Sequence, residues 1–323
     1  MTNLKILAYK KILLVFLVLP WACCAFGQQM PFNPVSNRIF TPFVINPAVA
    51  GSKDFLSFDL LAGFSGQSNS QMISGNTRLS KKTPGYGDTG SVYSFTNIGT
   101  GGFAYNDYNS SDSTHNAGFA ATASYHIPLN SKALSFVSIG ASVKGMYHFA
   151  EGDSSGNIPL KEFFFPNVDF GVYMYNPNSY AGISVTNLLD PPDDTDTLTV
   201  YCIPVSRQFN LIAGYKFILS RSLNIVLEPS LIIHTDDSLS FDIKENIEPA
   251  LKLYAGNFCI GTYFNDYSNI SFFFQYRYPK FYVGTFFALP KDSPFYKKSL
   301  TAEVALGINF SHNKSGYTQS GHW

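Results

Sequence analysis

Ser299-Leu300-Thr301-Ala302-Glu303-Val304-Ala305-Leu306-Gly307-Ile308-Asn309-Phe310 is the stretch whose reading decides the fold. From Leu300 to Phe310 every even position is apolar, while Thr301, Glu303, Ala305, Gly307 and Asn309 are small or polar. Side chains alternate faces along a strand, so this segment is a ribbon with one apolar and one polar face. A final strand of this kind, ending on an aromatic residue, suits a bacterial outer-membrane barrel. A strand faces lipid only inside a closed barrel, because there every backbone N–H and C=O is paired. The competing reading is the solvent-facing strand of a soluble sandwich.

The other end of the chain bears on destination. Lys5, Lys10 and Lys11 precede an apolar run from Ile12 to Phe26, and Ala25-Phe26-Gly27 is a small-x-small site before Gln28. This is the layout of a secretory signal peptide. The run is short for a membrane span of about 20 residues, and Pro20 interrupts it. Residues 1–27 are therefore expected to be removed near Gly27/Gln28 and the remainder exported to the bacterial outer membrane. The export segment carries three lysines and no acid, so its loss leaves 19 basic against 22 acidic residues. A mildly acidic chain has no basic footprint for nucleic acid, and none is expected as a partner. Cys23 and Cys24 leave with the signal; Cys202 and Cys259 do not amount to a disulfide framework.

Charged residues are only 14% of the chain, whereas Phe and Tyr together number 50. Soluble domains carry roughly 25% charged residues. Few charges, many aromatics and no later helix-length apolar run suit a transmembrane barrel, whose rims are aromatic and whose apolar residues alternate. The alternation recurs along the chain. Val137, Ile139, Ala141 and Val143 oppose Ser138, Ser142 and Lys144; Phe209, Leu211, Ala213 and Tyr215 oppose Asn210, Gly214 and Lys216. Ile225, Leu227, Leu231 and Ile233 oppose Glu228, Ser230 and His234; Ile270, Phe272 and Phe274 oppose Ser271 and Gln275. Leu251 and Leu253 oppose Lys252. By this pattern Leu251 faces lipid and Lys252 faces the lumen, where exchange for leucine is expected to be tolerated.

Turn residues separate these runs, as at Asn176-Pro177-Asn178-Ser179 and Asp236-Asp237. The pattern predicts an all-β fold, a transmembrane antiparallel β-barrel of about fourteen strands over residues 53–310, followed by a tail, 311–323. Longer connections are expected at 81–91, 106–116, 150–165, 188–206 and 289–298, alternating with short ones as in outer-membrane barrels. Pro229 and Pro249 each remove a ladder donor within a predicted strand, and both are assigned to bulges. Residues 28–52 do not alternate. Their prolines hold neighbouring residues extended and deny hydrogen bonds, so this leader is not a barrel strand. It is read as a short plug in the lumen, anchored by Phe32, Phe40 and Phe43, or else as a flexible linker.

Phe43-Val44-Ile45-Asn46-Pro47-Ala48-Val49-Ala50-Gly51-Ser52 resembles the N-terminal signature of the PorP/SprF family, outer-membrane proteins associated with type IX secretion. Val49 stands where that family tends to carry an aromatic residue. Asp169 to Tyr175 with Tyr180 to Leu188 is similar to its mid-barrel hairpin. Ala213 to Phe217 followed by Leu227-Glu228-Pro229-Ser230 is similar to the next. The chain departs at Thr301-Ala302-Glu303, where the family commonly has a His-Glu pair, and in continuing past Phe310. The resemblance implies a barrel that binds or anchors a secreted cargo protein or adhesin, or links the secretion machinery to the outer membrane. Implied partners are that cargo, other type IX secretion components and outer-membrane lipid. Phe32, Phe40, Phe43, Asn46, Pro47 and Gly51 are the candidate partner-binding residues.

Two other readings stay open: a fatty-acid-transporter-like channel for small hydrophobic molecules, and an exported structural β-protein. The first requires an apolar lumen, against which stand the inward Lys144, Lys216, Glu228, Lys244, Glu248, Lys252, Arg277 and Glu303. No catalytic chemistry is expected. Asp88-Thr89-Gly90 spells an aspartic-protease triplet, but that chemistry needs two carboxylates sharing a buried cleft, and this triplet sits in a glycine-rich loop. The six histidines show no paired ligand spacing. Asp190, Asp193, Asp194 and Asp196 share a loop without ordered calcium-ligand spacing, and read as a solvated acidic loop. No cofactor or metal is expected.

Overall fold

The computed structural model describes residues 39–53, 55–65, 68–83, 92–109, 114–130, 134–150, 161–189, 207–236, 246–265, 269–276, 281–290 and 301–311. Fifteen strand segments follow one another in a meander. They are β1 (Phe55–Ser65), β2 (Ser68–Thr83), β3 (Val92–Asn109), β4 (Thr114–Asn130) and β5 (Ser135–Ala150). There follow β6 (Lys161–Tyr175), β7 (Ser179–Thr186), β8 (Gln208–Tyr215), β9 (Phe217–Ser220) and β10 (Ile225–Asp236). The last are β11 (Ile247–Ala255), β12 (Phe258–Asn265), β13 (Asn269–Tyr276), β14 (Phe281–Pro290) and β15 (Thr301–Ser311). Segments β8 and β9 both pair with β10 and form one stave, so the fifteen segments make fourteen staves. Each pairs antiparallel with its neighbours, and β1 pairs with β15 from Phe55↔Ser311 to Ser65↔Thr301. The sheet therefore closes on itself and leaves no long edge.

The alternation in the sequence becomes inside and outside. On β15, Val304, Leu306, Ile308 and Phe310 point outward, while Glu303, Ala305 and Asn309 are buried within. On β5, Val143 is 61% exposed and Ser138 is fully buried. An apolar exterior around a polar interior is the reverse of a soluble barrel, and it matches a wall solvated by lipid. Among the described residues no helix is long and apolar enough to cross a membrane.

Two expectations about the strands need correction. Pro229 and Pro249 do not sit in bulges: β10 and β11 keep an unbroken register through Pro229↔Leu251 and Leu231↔Pro249. On its other side, Pro229 falls where pairing lapses between Leu227↔Phe217 and Ser230↔Gly214, so its missing N–H costs no ladder bond there. Pro249 lies one residue beyond the ladder to β12, which begins at Ala250↔Tyr263. The register shifts occur instead at Arg78/Ser80, Pro128/Asn130 and Ile225/Val226. The longer connections do not all leave from one end. Residues 81–91 and 106–116 flank the same strand, β3, and so leave from opposite ends of the barrel. The connections 151–160, 187–207, 237–246 and 291–300 share the end of 110–113. The connections 131–134, 176–178, 221–224 and 256–257 share the end at which residues 39–53 lead into β1.

Candidate functional site

The described part of the leader, from residue 39 onward, meets the wall through its backbone. Two 3-10 turns, Pro42–Val44 and Pro47–Val49, fold it tightly; each has proline in its first turn, where a missing N–H leaves nothing unsatisfied. Asn46 caps the second turn, its Oδ1 accepting from the Ala48 N–H at 3.0 Å. Its amide donates to the carbonyls of Val172 on β6 and Ile183 on β7, both at 3.2 Å. Serine hydroxyls of the wall donate to the leader's carbonyls: Ser184 to Ile45 at 2.8 Å, Ser138 to Ala48 at 2.6 Å and Ser124 to Ala50 at 2.6 Å. A buried carbonyl left unpaired costs about 1–3 kcal/mol, so three paired ones matter to a segment without a strand of its own.

Small inward residues of the wall make this approach possible. A Cβ on Gly171 would collide with Asn46 Oδ1, and one on Gly140 would lie 2.5 Å from the Ala48 nitrogen. Gly51, at φ +70°, ends the segment in the left-handed region, and a Cβ there would lie 2.6 Å from the Gly99 Cα. Aromatic contacts complete the seat. Phe40 lies 4.8 Å from Tyr282 and 5.3 Å from Phe286, and Phe43 lies 6.2 Å from Phe103, measured between ring centroids.

Polar side chains extend the network inward. His126 Nε2 lies 2.9 Å from the Ala50 carbonyl and its Nδ1 lies 2.9 Å from the Tyr175 hydroxyl. Arg78 approaches that hydroxyl at 3.5 Å and stacks over Phe136 at 4.7 Å. Elsewhere on the inner wall, Lys252 pairs with Glu228 at 2.7 Å, and Tyr180 donates to the same carboxylate at 2.9 Å. Lys144 pairs with Asp169 at 2.7 Å, and Tyr263 donates to Glu248. Lys252 is thus committed to a buried ion pair, which overturns the expectation that leucine would be tolerated there.

Of the six candidate residues, Phe40, Phe43, Asn46, Pro47 and Gly51 are buried or seated against the wall, and Phe32 lies outside the described residues. Sequence reasoning missed their counterparts: Gly99, Gly140, Gly171, Ser124, Ser138, Ser184 and His126. The available signal was small residues recurring at inward positions of β3 to β7. Asp88, Cys202, Lys244, Arg277 and the acidic loop 190–196 also lie outside the described residues. Cys259 is a free thiol buried on the inner wall. Among the described residues no group of three or more His, Cys, Asp or Glu side chains could hold a metal ion.

A closed antiparallel wall, apolar outside and polar within, defines an outer-membrane β-barrel. The chain belongs, more particularly, to the family described as Type IX secretion system membrane protein PorP/SprF, which it matches over residues 33–308. Similar solved structures include the Acinetobacter baumannii outer membrane protein Omp33, at 10% identity and TM-score 0.44, covering 81% of this chain and 99% of that one. The KdgM porin is similar at 8% identity and TM-score 0.38, covering 79% of this chain and 99% of that one. Haemophilus ducreyi BamA lacking POTRA domains 1–3 is similar at 11% identity and TM-score 0.39, covering 79% and 70%. No curated protein matches the chain.

Proposed function

We propose that this barrel serves type IX secretion by holding a secreted cargo protein or adhesin at the outer membrane, or by linking the export machinery to that membrane. In this reading residues 1–27 are cleaved near Gly27/Gln28, and the end at which residues 39–53 lead into β1, which bears most of the short connections, faces the periplasm. Residues 28–52 act as a plug. Phe40, Phe43, Asn46, Pro47 and Gly51 fasten it to the wall, so that its remaining surface is presented to the partner. The chain is assigned no catalytic step.

The observation that carries this reading is the fastening itself. A segment tied to β4, β5, β6 and β7 through backbone carbonyls and Asn46 is ordered in advance, which lowers the entropy lost when a partner docks on it. The fatty-acid-channel reading is not favoured, because the inner wall carries the Lys252–Glu228 and Lys144–Asp169 pairs where an apolar conduit is required. Deleting residues 30–44 tests the proposal. The truncated protein should still appear in the outer membrane as a heat-modifiable barrel, while the amount of cargo at the cell surface falls at least tenfold. Cargo displayed at the normal level would reduce the leader to a linker.

A further inference from the structure

Strand β6 is paired along its whole length on one side only. It has 15 residues, and toward β5 its ladder runs from Ala150↔Lys161 to Phe136↔Tyr175. Strand β7 has only 8, and the ladder to it runs from Tyr175↔Tyr180 to Phe170↔Val185. Just beyond, a side chain closes the pairing off. The Leu188 N–H donates to the Val168 carbonyl at 3.0 Å. Asn167 then stands in for a strand: its Oδ1 accepts from the N–H groups of Val168 at 2.8 Å and Leu189 at 3.1 Å, and its amide donates to the Leu189 carbonyl at 3.1 Å. In an antiparallel strand the N–H and C=O of one residue point to the same side, and the side alternates along the chain. The Val168 carbonyl points toward β7, so the backbone groups of Pro166, Phe164 and Glu162 do too. Among the described residues nothing pairs with them. Pro166 has no N–H to leave open, as suits an edge.

The chemistry of this edge narrows what can cover it. Lipid cannot pair N–H and C=O groups, and the exposed Glu162 sets the edge above the hydrocarbon. Strand β7 cannot simply be continued along it. Asn187, at φ +57°, breaks the strand, and Pro191-Pro192 follow where donors to Phe164 would be needed. A second barrel is a poor fit as well. The edge points along the wall, over the short staves β7 and β8, so a second copy in the same membrane could not reach it without the two walls overlapping. What matches the edge is an extended segment of another chain. Phe164, 59% exposed, stands at its centre, and Glu162 and Pro166 are exposed on either side. The edge lies at the barrel end opposite the leader, beside the connection 151–160.

We propose that residues 162–166 of β6 receive an extended segment of the secreted partner as an added strand. Its backbone pairs with Glu162, Phe164 and the Pro166 carbonyl, and a β-branched or aromatic side chain opposite Phe164 packs on that ring. The assignment rests on the proposed role in secretion only for where the strand comes from, since the open edge is a property of the purified barrel.

Amide hydrogen exchange at single-residue resolution, on the full chain purified in detergent, tests the edge directly. In the free barrel Glu162 and Phe164 should exchange at least a hundredfold faster than Phe163 and Phe165, whose N–H groups point to β5. Equal protection of all four would mean that the edge is already paired and would overturn the site. A fluorescein-labelled heptapeptide alternating threonine and valine then serves as the added strand, with its backbone N-methylated counterpart as control. The peptide should slow exchange at Glu162 and Phe164 at least tenfold and bind at least tenfold more tightly than the control. Phe164→Pro leaves the β5 ladder intact, as Pro166 does, and removes the central donor. It should lower the peptide's affinity at least tenfold in a barrel that is still heat-modifiable, whereas Phe164→Ala keeps the N–H and should lower it less. Unchanged affinity in the folded Phe164→Pro barrel would overturn the site. A barrel that is dimeric, and monomeric once Phe164→Pro is introduced, would give the edge to a second copy and overturn the partner. Normal cargo display by cells carrying Phe164→Pro would overturn it too. Loss of display in that variant, but not on deleting residues 30–44, would retire the plug and leave the edge standing.

Discussion

Asn46 joins more of the molecule than any other described leader residue. Its carbonyl oxygen caps a turn within the leader, while its amide nitrogen reaches two strands of the wall. The two roles separate by substitution. Asn46→Ala loses both and should loosen the leader by about 1–2 kcal/mol, the usual value of a lost cap or hydrogen bond. Asn46→Asp keeps the cap but sets a second acceptor against the carbonyls of Val172 and Ile183, and should be the more damaging. Gly171→Ala, which would bring a Cβ against Asn46 Oδ1, should resemble it. Limited proteolysis of the purified barrel reads all three as faster cleavage between residues 39 and 53; cleavage of Asn46→Asp at the rate of the unsubstituted protein would show that the amide contributes nothing. Half of this arrangement was legible in the sequence. Asn46-Pro47 stood out as a break in alternation, because capping residues and proline carry local signals. The receiving glycines did not, because Gly171 lies more than a hundred residues from the asparagine it accommodates.

The strands show which properties of an element are local. Facing was readable for β5, β8, β10, β13 and β15, since period-2 alternation is written residue by residue and burial follows it. Pairing lapses were not. Pro229 looked like a bulge because the interruption that accommodates it lies on the neighbouring stave, at Lys216 between β8 and β9. Lys252 makes the same point through charge: its lumen position was read correctly, and its partner Glu228, 2.7 Å away on β10, was not foreseen. Removing one member of a buried ion pair costs about 3–5 kcal/mol, because the other charge is left uncompensated. Lys252→Leu should therefore destabilise the barrel by that order in urea unfolding, and Glu228→Leu added to it should recover most of the loss. A double variant no more stable than Lys252→Leu alone would show that the pair is not what holds β10 to β11 on the lumen side.

At the scale of the whole molecule, closure sets everything else. Fourteen staves joined from β1 to β15 place the apolar rows on lipid, enclose the polar rows, and give the leader a wall to fasten to. An open sheet of the same sequence would expose two unpaired edges in a medium that cannot hydrogen-bond them. The stave number and the meander were legible because consecutive strands announce themselves one after another. The register of the closing seam was not, since it joins the two ends of the barrel sequence. That seam also offers the most direct test of closure. Ser57 and Asn309 are register partners on the inner face, whereas Val304 points outward. Directly opposite positions bring Cβ atoms to about 4.5–5.5 Å, close enough for mild oxidation to form a disulfide. In a chain carrying Cys202→Ser and Cys259→Ser, the pair Ser57→Cys with Asn309→Cys should cross-link in outer membranes and change the migration of the boiled protein. The pair Ser57→Cys with Val304→Cys should not. Cross-linking of the second pair, or of neither, would contradict a barrel closed between β1 and β15 in this register.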